Sequence, residues 1–389
     1  MAQASGSRVI AAYVEEVTRG TTPASPTLKT IRATSRNVNL DKAILPSEEV
    51  RASRQEADER HGSNSVAGSI GYQLSLEDYD DFIRYAMGGT WAAVTTGSVT
   101  LGVDGPTQKY TRTTGSFLVD GFRVGDMVDG AGFTNGGNNA SAFATRVTSV
   151  IALELVVSGA VLVTEAPAAA RTVSIRGKRI DIGTNLITTT LERQFLDITK
   201  YQPNRGVAVN TWDCAFAPER TIGGTFGLLG MSAGAMAAAS VSGSAAVAPT
   251  TRGFLAPFDG VLFEGTSIIA VVTSFDYQLN NQHTLQPVFG SKFSPDVYQG
   301  VAVLSGNLSA MVESEVLYNK FFNETESSIW LKANDLNGTD FINWVFPRVK
   351  YNGSNMDPQQ TGPVIQNMPI KALEHSVTKT ALSIQRSNV

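Results

Sequence analysis

Over residues 65–75 the chain alternates so that Val66, Gly68, Ile70, Tyr72 and Leu74 share one face, while the other carries only small or polar side chains. A period of two predicts a strand with one face in a core and the other in water. Residues 28–40 upstream are also strand-like. Between the two, residues 41–64 are polar with no apolar period, an excursion too long for an ordinary turn. Beyond the second strand, Leu76, Tyr79, Phe82, Ile83, Ala86 and Met87 recur at helical spacing. Ser75 opens this predicted helix, with Asp78 at the capping-box position, and Gly88-Gly89 ends it. The unit reads strand, excursion, strand, helix, and it follows an N-terminal segment, residues 1–26, to which no element is assigned.

The same unit returns in the second half. A shift of 238 residues sets Gly68, Ile70, Leu74, Glu77, Tyr79 and Ile83 opposite Gly306, Leu308, Val312, Glu315, Leu317 and Phe321. On the non-core side, Ala67, Ser69 and Gly71 meet Ser305, Asn307 and Ser309, so both copies present a small, polar, uncharged strand face. With one residue of slip, Thr34-Ser35, Asn37 and Leu40 match Thr273-Ser274, Asp276 and Leu279. Agreement of several elements in order points to duplication. Residues 97–178, dense in short β patterns and turn signals, read as a small all-β insert. Strand-like runs at 188–195, 207–216 and 221–229 complete the first copy, and the Ala/Ser/Gly-rich residues 232–249 read as a linker or exposed loop. The expected division is 1–96 with 179–231 for the first unit, 97–178 for the insert, 232–259 for the linker and 260–389 for the second unit.

Charge and chemistry narrow the function. Of 389 residues 42% are hydrophobic and only 17% charged, below the ~25% usual in soluble domains, so Ser, Thr, Asn, Gln and Gly must supply much of the polar surface. The charge sum, 31 − 35 = −4, leaves no global cationic field for nucleic-acid phosphates. One cysteine, Cys214, excludes an internal disulfide and reads as a small buried hydrophobe. His61, His283 and His375 lie far apart, so a zinc enzyme or a Ser-His-Asp hydrolase has little raw material. No leader pattern and no apolar run of about 18 residues is present, so the chain is expected to stay in the cytoplasm until it reaches its destination. The glycines of residues 223–230 read as turn or bulge glycines, not a phosphate loop. The acids Glu77, Asp78, Asp80 and Asp81 read as a solvated helix start, and Asn135, Asn138 and Asn139 as turn chemistry in preference to a sugar site. No catalytic residue, metal ligand or cofactor site is assigned.

The excursion is the exception. Glu48, Glu49, Arg51, Arg54, Glu56, Asp58 and Arg60 give it mixed charge suited to ordering against a partner. Its counterpart in the second copy, residues 281–299, carries His283, Phe289, Phe293 and Tyr298. Recurrence at one place in both copies favours an assembly contact over a solvated loop.

These residues resemble a known family. The runs Asn37-Val-Asn-Leu40, Glu48-Glu-Val-Arg-Ala-Ser-Arg-Gln-Glu-Ala-Asp-Glu-Arg60, Ser65-Val-Ala-Gly-Ser-Ile70, Tyr79-Asp-Asp-Phe-Ile83 and Met87-Gly-Gly-Thr-Trp91 resemble the tail tube (major tail) proteins of long-tailed bacteriophages. So do Gly121-Phe-Arg-Val-Gly-Asp126, Gly132-Phe-Thr-Asn135, Thr190-Leu-Glu-Arg-Gln-Phe195 and Ala217-Pro-Glu219. The resemblance covers most of residues 28–230; from 260 on it rests on the internal repeat and a strand-like run at 378–386. It implies a mainly β fold: two tandem tail-tube-like β-sandwich or barrel units, each with a flanking α-helix, plus the small all-β inserted domain. It further implies rings with a continuous β lumen, a long loop reaching the next ring, and double-stranded DNA passing through without specific binding at ejection. Ser69, Gln73, Ser305, Asn307 and Ser309 are the lumen-facing candidates. With two units per chain, a homotrimer forming a pseudo-hexameric ring is the first choice and a true hexamer the runner-up. Expected partners are the chain itself and the tape measure, terminator and distal tail proteins, with no membrane insertion. The expected location is the virion tail, assembled in the host cytoplasm, with the insert on the outer wall. A β-rich surface adhesin is the alternative, and carboxylate-only hydrolysis a distant third.

Overall fold

Alternation along the strands builds one large antiparallel sheet system in which each half of the chain repeats a single strand order. The computed structural model describes residues 3–387 except 140–144, 257–259, 266, 270, 337, 339, 357 and 359. In the first half, β1 (Val9–Glu15), β2 (Ser35–Pro46), β3 (Glu59–Gln73), α1 (Asp80–Met87), β4 (Thr189–Phe195), β5 (Lys200–Phe216) and β6 (Gly223–Gly230) follow one another in the chain. The strands pair as β1–β4–β5–β6–β3–β2. In the second half come β7 (Val261–Glu264), β8 (Val272–Asn280), β9 (Val303–Met311), α2 (Val316–Phe322), β10 (Ser327–Asn334), β11 (Phe341–Tyr351) and β12 (Ile365–Ala372). These pair as β7–β10–β11–β12–β9–β8, the same order.

The likeness extends to irregularities. The pairing of β5 with β6 slips between Val209 and Thr211, and the pairing against β12 slips likewise between Tyr351 and Asn355. A Cβ on Gly68 would sit 1.7 Å from the Asn37 carbonyl oxygen, and one on Gly306 2.3 Å from that of Asp276. Both positions need glycine because the neighbouring backbone occupies the side-chain space.

The halves join through β5 and β8, with Thr211 opposite Asn280 and Phe216 opposite Phe275. One run of eight strands results: β2, β3, β6, the later part of β5, β8, β9, β12 and the short strand Asn355–Met356. Its apolar face supplies a core that crosses the junction, including Val66, Ile70, Trp212, Phe226, Phe275, Tyr277 and Leu308, joined by Trp344 of β11. Phe226 stacks on Tyr72 at 4.5 Å, and Phe216 meets Trp344 edge-on at 4.9 Å.

Several expectations are corrected. The first strand starts at Ser35, after a two-residue strand at Lys29–Thr30, instead of running through 28–40. The N-terminal segment holds β1, whose apolar residues lie on both faces and so leave no period-two signal. The helix begins at Asp80, not Ser75. The Ser75 hydroxyl donates to Asp78 at 2.6 Å, and Arg32 and the Thr250 amide claim the same carboxylate, so Asp78 ties segments together and caps nothing. The alleged linker is pinned. Ser232–Ala233 pairs with β5, Val247 bridges Lys29, and the buried Glu192 carboxylate accepts from the Ser240 hydroxyl and the Val241 amide.

Residues 99–175 form a separate six-stranded sheet, ordered Val128–Ala131, Glu165–Ile175, Val99–Asp104, Lys109–Arg112, Glu154–Ser158 and Arg146–Val150. A bridge between Met127 and Arg146 brings the last strand back to the first, around a core of Tyr110, Phe117, Phe122, Leu155 and Val173. This sheet leaves the chain in the first half but docks on the second. The Trp330 indole donates to the Gly125 carbonyl at 2.8 Å, and Gln385 in β13 (Ser383–Arg386) bonds both the amide and the carbonyl of Met127.

Candidate functional site

The core-averse face of the eight-strand run is built by alternation, so its residues follow from the register. Ser69 lies between Asn37 of β2 and Gly227 of β6, and Gln73 is exposed opposite Gly223. Ser305 lies between Gln278 and Lys371, and Asn307 between Asp276 and Pro369. The structure therefore brings four of the five candidates to one face in exposed or half-buried positions. Ser309 shares the face but is buried: its hydroxyl donates to Asn367 at 2.7 Å and receives the Asn307 amide at 3.1 Å.

The face is polar but not wholly uncharged, which corrects the reading from the repeat alone. The adjoining strands add Asp213, Asp276 and Lys371. Asp213 accepts the Thr225 amide at 3.0 Å and also its hydroxyl. Burial and the neighbouring Asp213 charge both push the Asp276 carboxyl upward. Alternation within β5 and β8 turns Asp213 and Asp276 away from the core, and the pairing of those two strands brings them to the same face as Ser69 and Asn307. Small hydroxyls and amides, with the carboxylates of Asp213 and Asp276 outnumbering the single Lys371 among these added charges, offer little to hold a phosphate backbone.

The excursion is a hairpin arm, not an unstructured loop. β2 and β3 pair from Ser35 opposite Gly71 out to Pro46 opposite Glu59, leaving residues 47–58 as the tip. The strands were hidden because both faces of the arm are wet, so no apolar period marks them. Glu48, Glu49, Arg51, Arg54, Glu56, Asp58 and Arg60 are all exposed, with Arg51 pairing locally with Glu49 at 2.8 Å. Ile44 and Leu45, each 58% exposed, and the fully exposed Val50 add apolar surface to the arm. The counterpart in the second half forms no such arm. It holds only the two-residue pair Thr284–Leu285 with Val297–Tyr298 and leans on the base of the arm, where Asn64 donates to the Lys292 carbonyl at 2.7 Å. Phe289 is fully exposed, while Phe293 and Tyr298 are partly covered, and Phe293 bridges Asn64.

The remaining candidates resolve into structure. Cys214 is buried, and desolvation pushes its thiol up to about 12, which leaves it inert as a nucleophile. The helix-start acids are partnered, contrary to the solvated reading: Asp78 with Arg32, Asp80 with Arg386 at 2.6 Å, and Asp81 with Lys29 at 2.7 Å. Asn135 accepts the Gly137 amide at 2.9 Å as a turn residue does, and Asn138 donates to Glu165. Among the described residues no group of three or more His, Cys, Asp or Glu is placed to hold a metal ion. Among them, too, no helix is long and apolar enough to cross a membrane.

A family model described as phage tail tube protein matches residues 6–372. No curated protein matches the chain.

Proposed function

We propose, for a chain that belongs to the phage tail tube protein family and so is a structural component of the virion tail, that three copies close into a ring and that stacked rings form the conduit for DNA. The observation that carries this reading is the eight-strand run with one face in the core and the other polar and exposed. Three copies supply about twenty-four strands; at ~4.8 Å per strand the circumference is on the order of 115 Å and the diameter roughly 37 Å before tilt widens it. That leaves room for a duplex. Six copies would double the width and lose the close guidance a narrow tube provides, which favours the trimer.

In this reading Ser69, Gln73, Ser305 and Asn307 face the lumen, and Asp213 and Asp276 repel phosphates so that DNA slides. The arm at residues 41–64 contacts the adjacent ring through its charges and through Ile44, Leu45 and Val50. Phe289 and Tyr298 lie near the arm's base and serve the same contact. The six-stranded insert, docked on β10, β11 and β13, decorates the outer wall. Tape measure, terminator and distal tail proteins meet the tube inside and at its ends, and rings assemble in the host cytoplasm. Catalysis has no part in this role.

Negative-stain microscopy with sedimentation of the purified chain tests the reading. Stacked rings of three copies with an open centre are expected, and a stable monomer at high concentration would overturn it. A glycan-binding insert on a monomeric chain would favour the adhesin reading instead.

A further inference from the structure

One chain contains one complete strand junction and the two unjoined sides of another. The complete junction sets β5 against β8, with Thr211 opposite Asn280, Trp212 opposite Leu279, Asp213 opposite Gln278 and Cys214 opposite Tyr277. By strand order, β2 is to the first half what β8 is to the second. By the shared register slip, residues 353–356 are to the second half what residues 211–214 are to the first. Among the described residues β2 pairs only with β3 over residues 38–41, and Asn355–Met356 pairs only with β12. Both ends of the eight-strand run thus present open edges, which soluble proteins seldom leave uncovered.

We infer that the internal junction is the template for the contact between copies: residues 353–356 of one chain pair antiparallel with residues 38–41 of the next. The register copied from inside the chain puts Met356 opposite Val38, Ser354 opposite Leu40, Asn355 opposite Asn39 and Gly353 opposite Asp41. The faces agree with this placement. Met356 and Val38 take the positions of Cys214 and Tyr277, which lie in the core, so Met356, 37% exposed in the single chain, is covered on pairing. Asn355 and Asn39 take the positions of Asp213 and Gln278 and continue the polar face. A slip of one residue would set core-side Met356 beside outward-facing Asn39 instead of core-side Val38, so the alternation on the two edges itself selects the register. The contact joins unlike edges, the heterologous geometry from which a ring forms when the rotation between copies closes.

This inference rests on the ring reading, and disulfide trapping separates the two. Chains carrying Asn39→Cys and chains carrying Asn355→Cys, both exposed positions, are mixed and mildly oxidised, with far-UV circular dichroism confirming that each folds. A covalent dimer that forms only in the mixture is expected. The pair Asp41→Cys with Gly353→Cys should behave in the same way, and the slipped pair Leu40→Cys with Asn355→Cys should stay unlinked because its side chains face opposite sides. Buried Cys214 does not compete. Rings seen by microscopy without these cross-links, or with the slipped pair linked instead, would overturn the register and leave the ring standing. Cross-linking of Asn39→Cys chains with themselves would overturn the head-to-tail contact. Absence of rings from the unmodified chain would overturn the ring reading, and the register with it.

Discussion

The two halves share a strand frame and differ in what covers it. In the first, α1 buries Phe82, Ile83, Tyr85, Ala86 and Met87, and Tyr13 of β1 packs edge-on against Phe82 at 4.9 Å. In the second, α2 occupies the equivalent place in the order but buries none of its residues, leaving Val316 52% and Phe322 71% exposed. β1 and the pinned residues 232–255 enclose the first half, whereas the second is covered on β10, β11 and β13 by the insert. Backbone pairing with its obligatory glycines is therefore what the repeat preserves. Peripheral packing is free to diverge because each cover meets only its own side of the frame.

The largest effect tests the shared frame. Gly68→Ala places a methyl carbon inside backbone contact at a φ of 155° and is expected to cost more than ~3 kcal/mol. Gly306→Ala meets a looser contact, 2.3 Å against 1.7 Å, and should cost roughly 1–3 kcal/mol, both read by urea unfolding of the monomer. A neutral outcome at either glycine would break the equivalence of the halves.

The next pair tests the difference. Phe82→Ala removes a fully enclosed ring and should destabilise by about 3–5 kcal/mol, while Phe322→Ala should stay within about 0.5 kcal/mol in the isolated chain. Equal losses would mean that Phe322 is packed as tightly as Phe82. Trp330→Phe tests how the insert is held: losing the hydrogen bond to Gly125 should cost about 1 kcal/mol, with faster hydrogen exchange around residues 125–127 and no change in α1.

The last contrast is electrostatic and confined to the first half. Burial pushes the Asp80 carboxyl up to about 7, against the Arg386 guanidinium that lowers it. The folded chain then holds this proton to higher pH than the unfolded one, where the group titrates near 3.8. Its contribution to stability is full below about pH 4 and is lost as pH rises toward 7. Asp80→Asn should flatten that part of the stability–pH curve. The corresponding start of α2, at Val316, has no acid in its first turn and should add no slope there.

Legibility followed burial asymmetry. Residues 65–75 revealed a strand because one face is dry, and the core identities of Val66, Ile70 and Tyr72 came with it. The outer arm, with both faces wet, and β1, apolar on both faces, carry no such contrast and stayed hidden. The polar face was found at Ser69 and Asn307 through the repeat. Asp213 and Asp276 joined it only once the pairing of β5 with β8 set the two strands side by side. The arm's charged residues are all exposed, but nothing in their order distinguishes a hairpin from a loop.

By itself the sequence determined the β character, the repeated unit and the family resemblance, because period-two alternation and matched glycines are local properties of the chain. Only the tertiary structure decided that the halves join through β5 and β8, that the insert crosses to the opposite half, and that α1 is sealed while α2 packs only in part, through Leu317 and Phe321. Those outcomes depend on which surfaces meet at long range. An edge strand carries the same alternation whether its neighbour lies in its own half, in the other half or in another copy of the chain.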